Sequence, residues 1–237
     1  MEYVPYREHP APPGLEPWLV CTWERVGDAP SVRVLPDGCI DVLCRPGVGS
    51  QIVGANTTAF VVPVADETYM LGARIRPGAA PALLGIEAEA LRDERVGLEL
   101  AIGSESAGLD AAVEGDGDPV RELEGWLARR AAVAELPDPL IGAAVHRLGT
   151  SADDVNGLAR ELGVSARGLR RRMTAAVGYG PKRLGRVLRL RRALAAARAG
   201  DELGRVAFDA GYADQAHFSG DCRELAGVPP SLLIPQP

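Results

Sequence analysis

The sequence predicts an α+β chain: a β-rich N-terminal domain, barrel (cupin-like) or sandwich, then a helical linker, then an all-α domain of two helix-turn-helix units joined by a long helix. Three observations carry this. Before about residue 100, runs of Val, Ile and Leu are punctuated by Gly and Pro at intervals suited to short strands. After it, Leu, Ala, Glu and Arg recur with apolar spacings of three and four. The charge divides as well: the chain carries a net −6, with 12 basic against 23 acidic residues in 1–150 and 14 against 9 in 151–237. The expected units are 1–103, 104–149 and 150–237.

In chain order, SVRVLPDGCIDVLC places two apolar runs around a Pro-Asp-Gly turn and reads as a hairpin. QIVGANTTAFVVPVA and TYMLGARIRPG continue the strand character. From Pro81, PALLGIEAEALRDERVGLEL turns helical, and SESAGLDAAVEG, DPVRELEGWLARRAAVAEL and DPLIGAAVHRLG read as three amphipathic helices, the second started by Asp118 with Pro119 at its first position. Their apolar stripes need a partner: the β domain, each other, or a second subunit. SADDVNGLARELGVSARGLRRRMTAAVGYGP sets Val155, Leu158, Ala159 and Leu162 on one face, turns at Gly163, restarts at Ser165 as N-cap and puts Leu169 and Met173 inward. A long basic helix over Lys182 to Ala199 follows, with Leu184, Val187, Leu188, Leu190 and Leu194 along its inner side. DELGRVAFDAGYADQAHFSGDCRELAG then repeats the layout, with a turn at Gly211, a restart near Ala213 or Asp214, and Phe218 and Leu225 inward.

Composition narrows the classes. With 46% hydrophobic and 24% charged residues, nothing looks disordered or fibrous. No apolar run approaches the roughly 20 residues of a membrane span, and MEYVPYREHP has neither a basic end nor an apolar signal core, so a cytoplasmic protein is expected. The four cysteines, at positions 21, 39, 44 and 222, include no CxxC pair and are too few for a closed zinc set. Reduced, mostly buried thiols and no metal or cofactor are expected. Arg167 to Gly200 holds 11 basic residues and no acidic one. Such a block attracts a polyanion at several points; the alternative is a solvated helix face, but those mix signs into i,i+4 pairs and this one does not.

On SARGLRRRM, on RLRRA in the linker helix, and on VAFDAGYADQAHF followed nine residues later by GVPP, residues 151–234 resemble the double helix-turn-helix DNA-binding domain of the AraC/XylS family of transcriptional regulators. VLPDGCIDVL and LGARIRPGAAPALLG resemble a sensor-like domain attached to some of these regulators, over roughly residues 5–103. The resemblance implies a sequence-specific regulator, not an enzyme, with double-stranded DNA as partner, a small-molecule effector or dimerisation through the N-terminal half, and contact with RNA polymerase; the helices of 104–148, able to pair across a two-fold axis, point to a homodimer.

Carried over by position, base edges would be met by Arg167, Arg170 and Arg171 in the first reading helix and by Gln215, Ala216 and His217 in the second. Arginine forks match guanine N7 and O6, so at least one of the three is expected to read a base while the others are free to clamp phosphate. Phosphate contacts fall on Ser165, Arg172, Lys182, Arg183 and Arg189. Roughly six neutralised phosphates would give a log-log salt slope near −5. The second helix is weaker: Gly220 stands where the resemblance predicts an arginine, Asp221 would repel a phosphate it faced, and Cys222 replaces a larger core residue. His217 is as well suited to packing as to DNA.

The N-terminal half shows little chemistry. His9 stands alone, His146 lies in a helical stripe where packing is the simpler role, and Asp37 and Asp41 are assigned to turn chemistry. Trp18, Trp23 and Tyr69 read as core before pocket. Cys39 and Cys44, opposite each other across the expected hairpin, are a candidate redox pair. Two rival readings remain: a thiol-dependent DNA-repair or alkyl-transfer enzyme with a DNA-binding tail, and a regulator without ligand that works through protein contacts. No cysteine has a basic, helix-start or His-paired setting and no GxSxG occurs, which weighs against the enzyme.

Overall fold

The computed structural model describes residues 6–26, 31–63, 68–150 and 154–234. Residues 64–65, which close the second expected strand run, and residues 151–153, which open the first helix-turn-helix segment, lie outside them. The α+β architecture is present. Its strands are β1 (Arg7–Pro10), β2 (Leu19–Val26), β3 (Ser31–Val34), β4 (Ile40–Arg45), β5 (Gly49–Val53), β6 (Phe60–Pro63), β7 (Tyr69–Ile75) and β8 (Arg95–Gly97). Six form an antiparallel sheet in the order β1-β2-β7-β4-β5-β8, and β3 pairs with β6 in a second, two-stranded sheet.

Strand β4 shows why. It alternates buried Ile40, Val42 and Cys44 with half-buried Asp41, Leu43 and Arg45, and Val42 lies opposite both Ile52 of β5 and Ala73 of β7. With a partner on each side, β4 has no edge left for β3, so the expected Pro-Asp-Gly hairpin is not formed. That turn instead connects the two sheets. Gly38 holds φ +82 there, and a Cβ would lie 2.8 Å from Leu184, so a glycine is what lets the turn press on the C-terminal half. The proposed thiol pair fails for the same reason: Cys39 and Cys44 are five residues apart along one extended segment, about 16 Å, beyond disulfide reach.

The helices α1 (Ala80–Leu84), α2 (Leu98–Ile102), α3 (Leu109–Val113), α4 (Pro119–Ala131) and α5 (Pro139–Thr150) cover the sheet and lead to the C-terminal half. The helical reading of residues 81–100 is corrected: between α1 and α2 the chain makes a 3-10 turn at Ala88–Leu91, takes positive φ at Asp93, and adds β8 as an edge strand, with Val96 opposite Ile52. Strand pairing here overrides local helix propensity. Asp118 caps α4 by accepting from Val120 N at 3.0 Å. Leu123, Trp126 and Leu127 of α4 bury against the sheet and its neighbours, and Ile141, Ala144 and Leu148 of α5 bury against the C-terminal helices. The apolar stripes are thus satisfied within one chain.

Beyond residue 154 come α6 (Val155–Glu161), α7 (Ala166–Val177), α8 (Pro181–Arg198), α9 (Leu203–Asp209) and α10 (Gln215–Asp221), the last running into a π turn at Cys222–Ala226. Each helix-turn-helix unit turns on a glycine with positive φ, Gly163 (+69) and Gly211 (+84), as the spacing required. The buried core is not divided at residue 150. One cluster runs from Leu15 through the sheet and α7 to Leu184, and a second runs from Val187 to Leu233, so the division falls inside α8.

Candidate nucleic-acid interface

The first unit is built from α6 and α7. Leu158 and Ala159 pack against Leu169, Met173 and Val177, all buried, and the Ser165 hydroxyl accepts from Gly168 N at 3.0 Å to cap α7. This leaves one face of α7 outward. Arg167, Arg170 and Arg171 are exposed on it and make no ion pair or side-chain hydrogen bond among the described residues. Arg167 lies three residues from Arg170 and four from Arg171, one turn on the same side. Arg172 is turned differently, ion-paired with Asp138 at 2.9 Å.

The second unit repeats the scheme. Asp214 caps α10 by accepting from His217 N at 2.7 Å, and Phe218 is buried beneath it. Gln215, Ala216 and His217 are exposed at its start. His217 meets the edge of Tyr212, ring centroids 5.1 Å apart, and so packs as well as facing solvent. Gly220 points into open space, with nothing within 4 Å of an added Cβ. Cys222 is buried in the small core of this unit.

The linker helix α8 departs most from the sequence reading. Its basic block has no acidic neighbour in sequence, yet carboxylates arrive from elsewhere. Arg183 donates to Thr57 O at 2.6 Å and to Glu224 at 3.1 Å. Arg186 donates to Asp221 at 2.7 Å and to Glu224. Arg189 pairs with the second Asp221 oxygen at 3.3 Å and lies 4.4 Å over the Tyr212 ring. Arg192 donates to Gly149 O, and Arg191 lies 3.8 Å from Asp37. Arg183 and Arg189, expected on phosphate, therefore spend their donors inside the protein. Asp221 is only 3% exposed and its charge is matched by two guanidinium groups. The Arg186 hydrogen bond holds the Glu224 carboxyl below its usual range. Lys182 is exposed and unpaired among the described residues.

Between the two units a cleft of about 790 Å³ opens over α8, lined among others by Asp154, Lys182, Arg189, His217 and Gly220. The missing side chain at Gly220 contributes to it.

In the N-terminal half no group of three or more His, Cys, Asp or Glu at metal-binding distance occurs among the described residues. His9 faces Glu24 at 3.1 Å, and His146, expected to pack, is exposed. Trp18 is core, its indole donating to Glu135 O, whereas Trp23 donates to Asp41 at 3.3 Å and Tyr69 to Glu24 at 3.2 Å. Asp37 and Asp41 do more than shape a turn. Both lie 3.7 Å from the Arg74 guanidinium, which also holds Glu8 at 2.9 Å. Burial pushes all four thiols up, Cys21 and Cys44 to about 11, Cys222 to about 12 and Cys39 well above its usual value. That is opposite to what a nucleophilic cysteine requires.

Burial also pushes Asp41 up to about 7, against the pull of Arg74. A folded-state value above the unfolded one, about 3.9, means that the native state holds this proton more tightly, so stability falls as pH rises from about 4 through about 7. Asp41→Asn keeps an acceptor for Trp23. It is expected to flatten the decline in Tm between pH 5.5 and pH 8 and to raise Tm at the upper end, read by scanning calorimetry. An unchanged slope would refute the assignment.

Residues 158–234 match the family model described as a helix-turn-helix domain, and residues 7–97 match one described as a domain of unknown function (DUF6597). No curated protein matches the chain. Among solved structures, the chain is similar to a probable AraC family transcriptional regulator from Rhodopseudomonas palustris, at 19% identity over 41% of this chain and 95% of that one, TM-score 0.37. It is also similar to ToxT from Vibrio cholerae, at 10% identity over 96% of each chain, TM-score 0.46, and to unsaturated fatty acid-bound wild-type ToxT from the same species, at 13% over 85% of each, TM-score 0.43.

Proposed function

We propose that the chain, with its helix-turn-helix domain behind a DUF6597 domain, is a DNA-binding transcriptional regulator of the AraC type, that α7 is its principal reader of sequence and that α10 docks with little sequence information. The observation that carries this is the set of three guanidinium groups, unpaired among the described residues, on one outward turn of a capped, core-anchored helix. An α-helix fits the major groove, and Arg167, Arg170 and Arg171 present forks suited to guanine. Ser165 and Lys182 sit beside them for phosphate, and Arg172 joins when it releases Asp138. In α10, Gln215 offers an amide for adenine, Ala216 a methyl contact for thymine, and His217 an imidazole whose ring packs on Tyr212 and whose Nδ1 accepts from Ala213 N at 3.5 Å. Arg183 and Arg189 serve as internal struts.

Residues 150–237 form the reading unit in this proposal, residues 1–103 the sensing or self-associating unit, and residues 104–149 the connection. Leu100, Val133 and Leu136 stay exposed, apolar side chains available to a second subunit. A small-molecule effector and RNA polymerase are the partners assigned to a regulator of this build.

Salt dependence tests the interface. With Arg167, Arg170, Arg171, Arg172 and Lys182 as the available cations, the log-log slope of operator affinity against salt is expected to be no steeper than about −4.5, and shallower by about 0.9 for each arginine that reads a base instead of a phosphate. A slope of about −6 would return Arg183 and Arg189 to the phosphates. A slope near zero would remove the interface.

A further inference from the structure

The second unit ends in a way its own residues do not complete. A helix leaves its last carbonyls without intrahelical partners, and here α10 runs through the π turn Cys222–Ala226 to Gly227. Gly227 N returns to Arg223 O, but Leu225 O and Ala226 O are met from the N-terminal half. Ala59 N donates to Leu225 O at 2.7 Å, and the Arg33 guanidinium donates to Ala226 O at 3.0 Å. Both donors belong to the small sheet: Arg33 lies in β3 opposite Val61, and Ala59 directly precedes β6. Leu35, just after β3, packs on the core of the second unit.

A second line of contact joins the same places. Thr57 is fixed to the N-terminal sheet by Asp93, which accepts from its backbone N at 2.6 Å and its hydroxyl at 2.8 Å. The Thr57 carbonyl accepts from Arg183, which also holds Glu224. Glu224 and Asp221 share Arg186, and Asp221, the last residue of α10, also holds Arg189. The core of this unit is separate from the cluster that ties α7 to the N-terminal sheet. The first unit is seated by a continuous core, whereas the second hangs from α8 and is closed by the small sheet.

We infer that the β3–β6 sheet, through Arg33 at Ala226 O and through the Thr57–Arg183–Glu224 chain, is the positioning element for α10, so that the N-terminal half sets how the second unit enters its groove. The inference rests on the reading of α7 and α10 as groove-entering helices. Two units held at a fixed angle accept only one spacing of half-sites, about one helical turn; releasing the cap lets α10 pivot and relaxes that demand. Arg33 is thus a positioning residue.

The experiment uses the full chain and a duplex selected from random sequence by the wild-type protein, with hydroxyl-radical footprinting and affinity on that duplex and on versions with one or two base pairs inserted between half-sites. Wild type is expected to protect two segments about one turn apart and to lose about tenfold or more in affinity on insertion. Arg33→Ala is expected to keep the first segment, lose most protection of the second, and cut the insertion penalty to below about threefold. Arg33→Lys, which retains a donor, is expected to restore much of both. If Arg33→Ala keeps both segments and the full penalty, or loses both segments equally, the inference is overturned. If the wild type protects nothing, the reading helices themselves are misassigned and the inference falls with them, a result that no Arg33 variant alone can produce.

Discussion

Replacing Arg167, Arg170 and Arg171 together with alanine is expected to reduce affinity for the selected duplex to that for an unrelated one, a loss on the order of 10³-fold. Each bidentate arginine–guanine contact discriminates by about 1–3 kcal/mol, and among the described residues these three side chains carry no internal ion pair that would have to be broken first. Arg170→Ala or Arg171→Ala alone should cost about 5- to 150-fold and relax preference at one position, while Gln215→Ala should cost less. Loss of a phosphate contact would instead flatten the salt slope by about one for each contact removed. Arg189→Ala gives the contrast: its guanidinium is spent on Asp221 and Tyr212, so the slope should hold while the second unit loses stability. Quantitative footprinting with anisotropy across a salt series separates these outcomes. A larger loss from Gln215 than from either arginine would overturn the order of the two units.

What the sequence made legible was local. Ser165, Gly163 and Gly211 act within a few residues of themselves, through a cap and two left-handed turns, and the apolar spacing around them identified both helix-turn-helix units together with the outward arginines of α7. What it hid was long-range. Nothing in SVRVLPDGCIDVLC says that β4 takes β5 and β7 as partners in preference to β3, because sheet order is decided by strands as far away as β7, whose Ile75 lies opposite Ile40, and by which face each buries. The basic run of α8 misled in the same manner: Arg186 and Asp221 are 35 residues apart, and Arg183 and Glu224 are 41. A charge run shows which side chains are cationic and says nothing of which carboxylates the fold delivers to them. Asp221 illustrates the consequence, since next to a reading position it looks like a repulsive defect, and in the fold it is the buried anchor of two arginines. Gly220 was legible as a missing arginine, and the open space around it agrees.

Gly54→Ala is expected to have the largest effect on stability of any single methyl addition. Gly54 follows β5, and its N–H donates to Glu94 O at 3.0 Å. A Cβ there would stand 1.5 Å from Leu91 O and 2.5 Å from Leu91 C. These are backbone atoms, so no rotamer change relieves the overlap; the turn Ala88–Leu91 must move as a whole. That turn is held from several directions. Ala88 and Leu91 are buried in the cluster that contains Leu169 and Met173 of α7, and Asp93 beyond it donates to Ala55 O at 3.2 Å and fixes Thr57. Displacing it strips β8 from β5 and loosens the seat of the first reading helix together. The cost should exceed the ~1–3 kcal/mol of ordinary overpacking and reach the exceptional range above ~4 kcal/mol, a fall in Tm of about 10 °C or more at roughly 2–4 °C per kcal/mol. Gly142→Ala is the matched control: Gly142 is exposed in α5 with nothing within 4 Å of an added Cβ, and helix propensity predicts a gain of ~1 kcal/mol. Calorimetry of the two variants beside the wild type gives opposite signs if the sheet and the turn meet as described, and a Gly54→Ala protein that melts with the wild type would show that they do not.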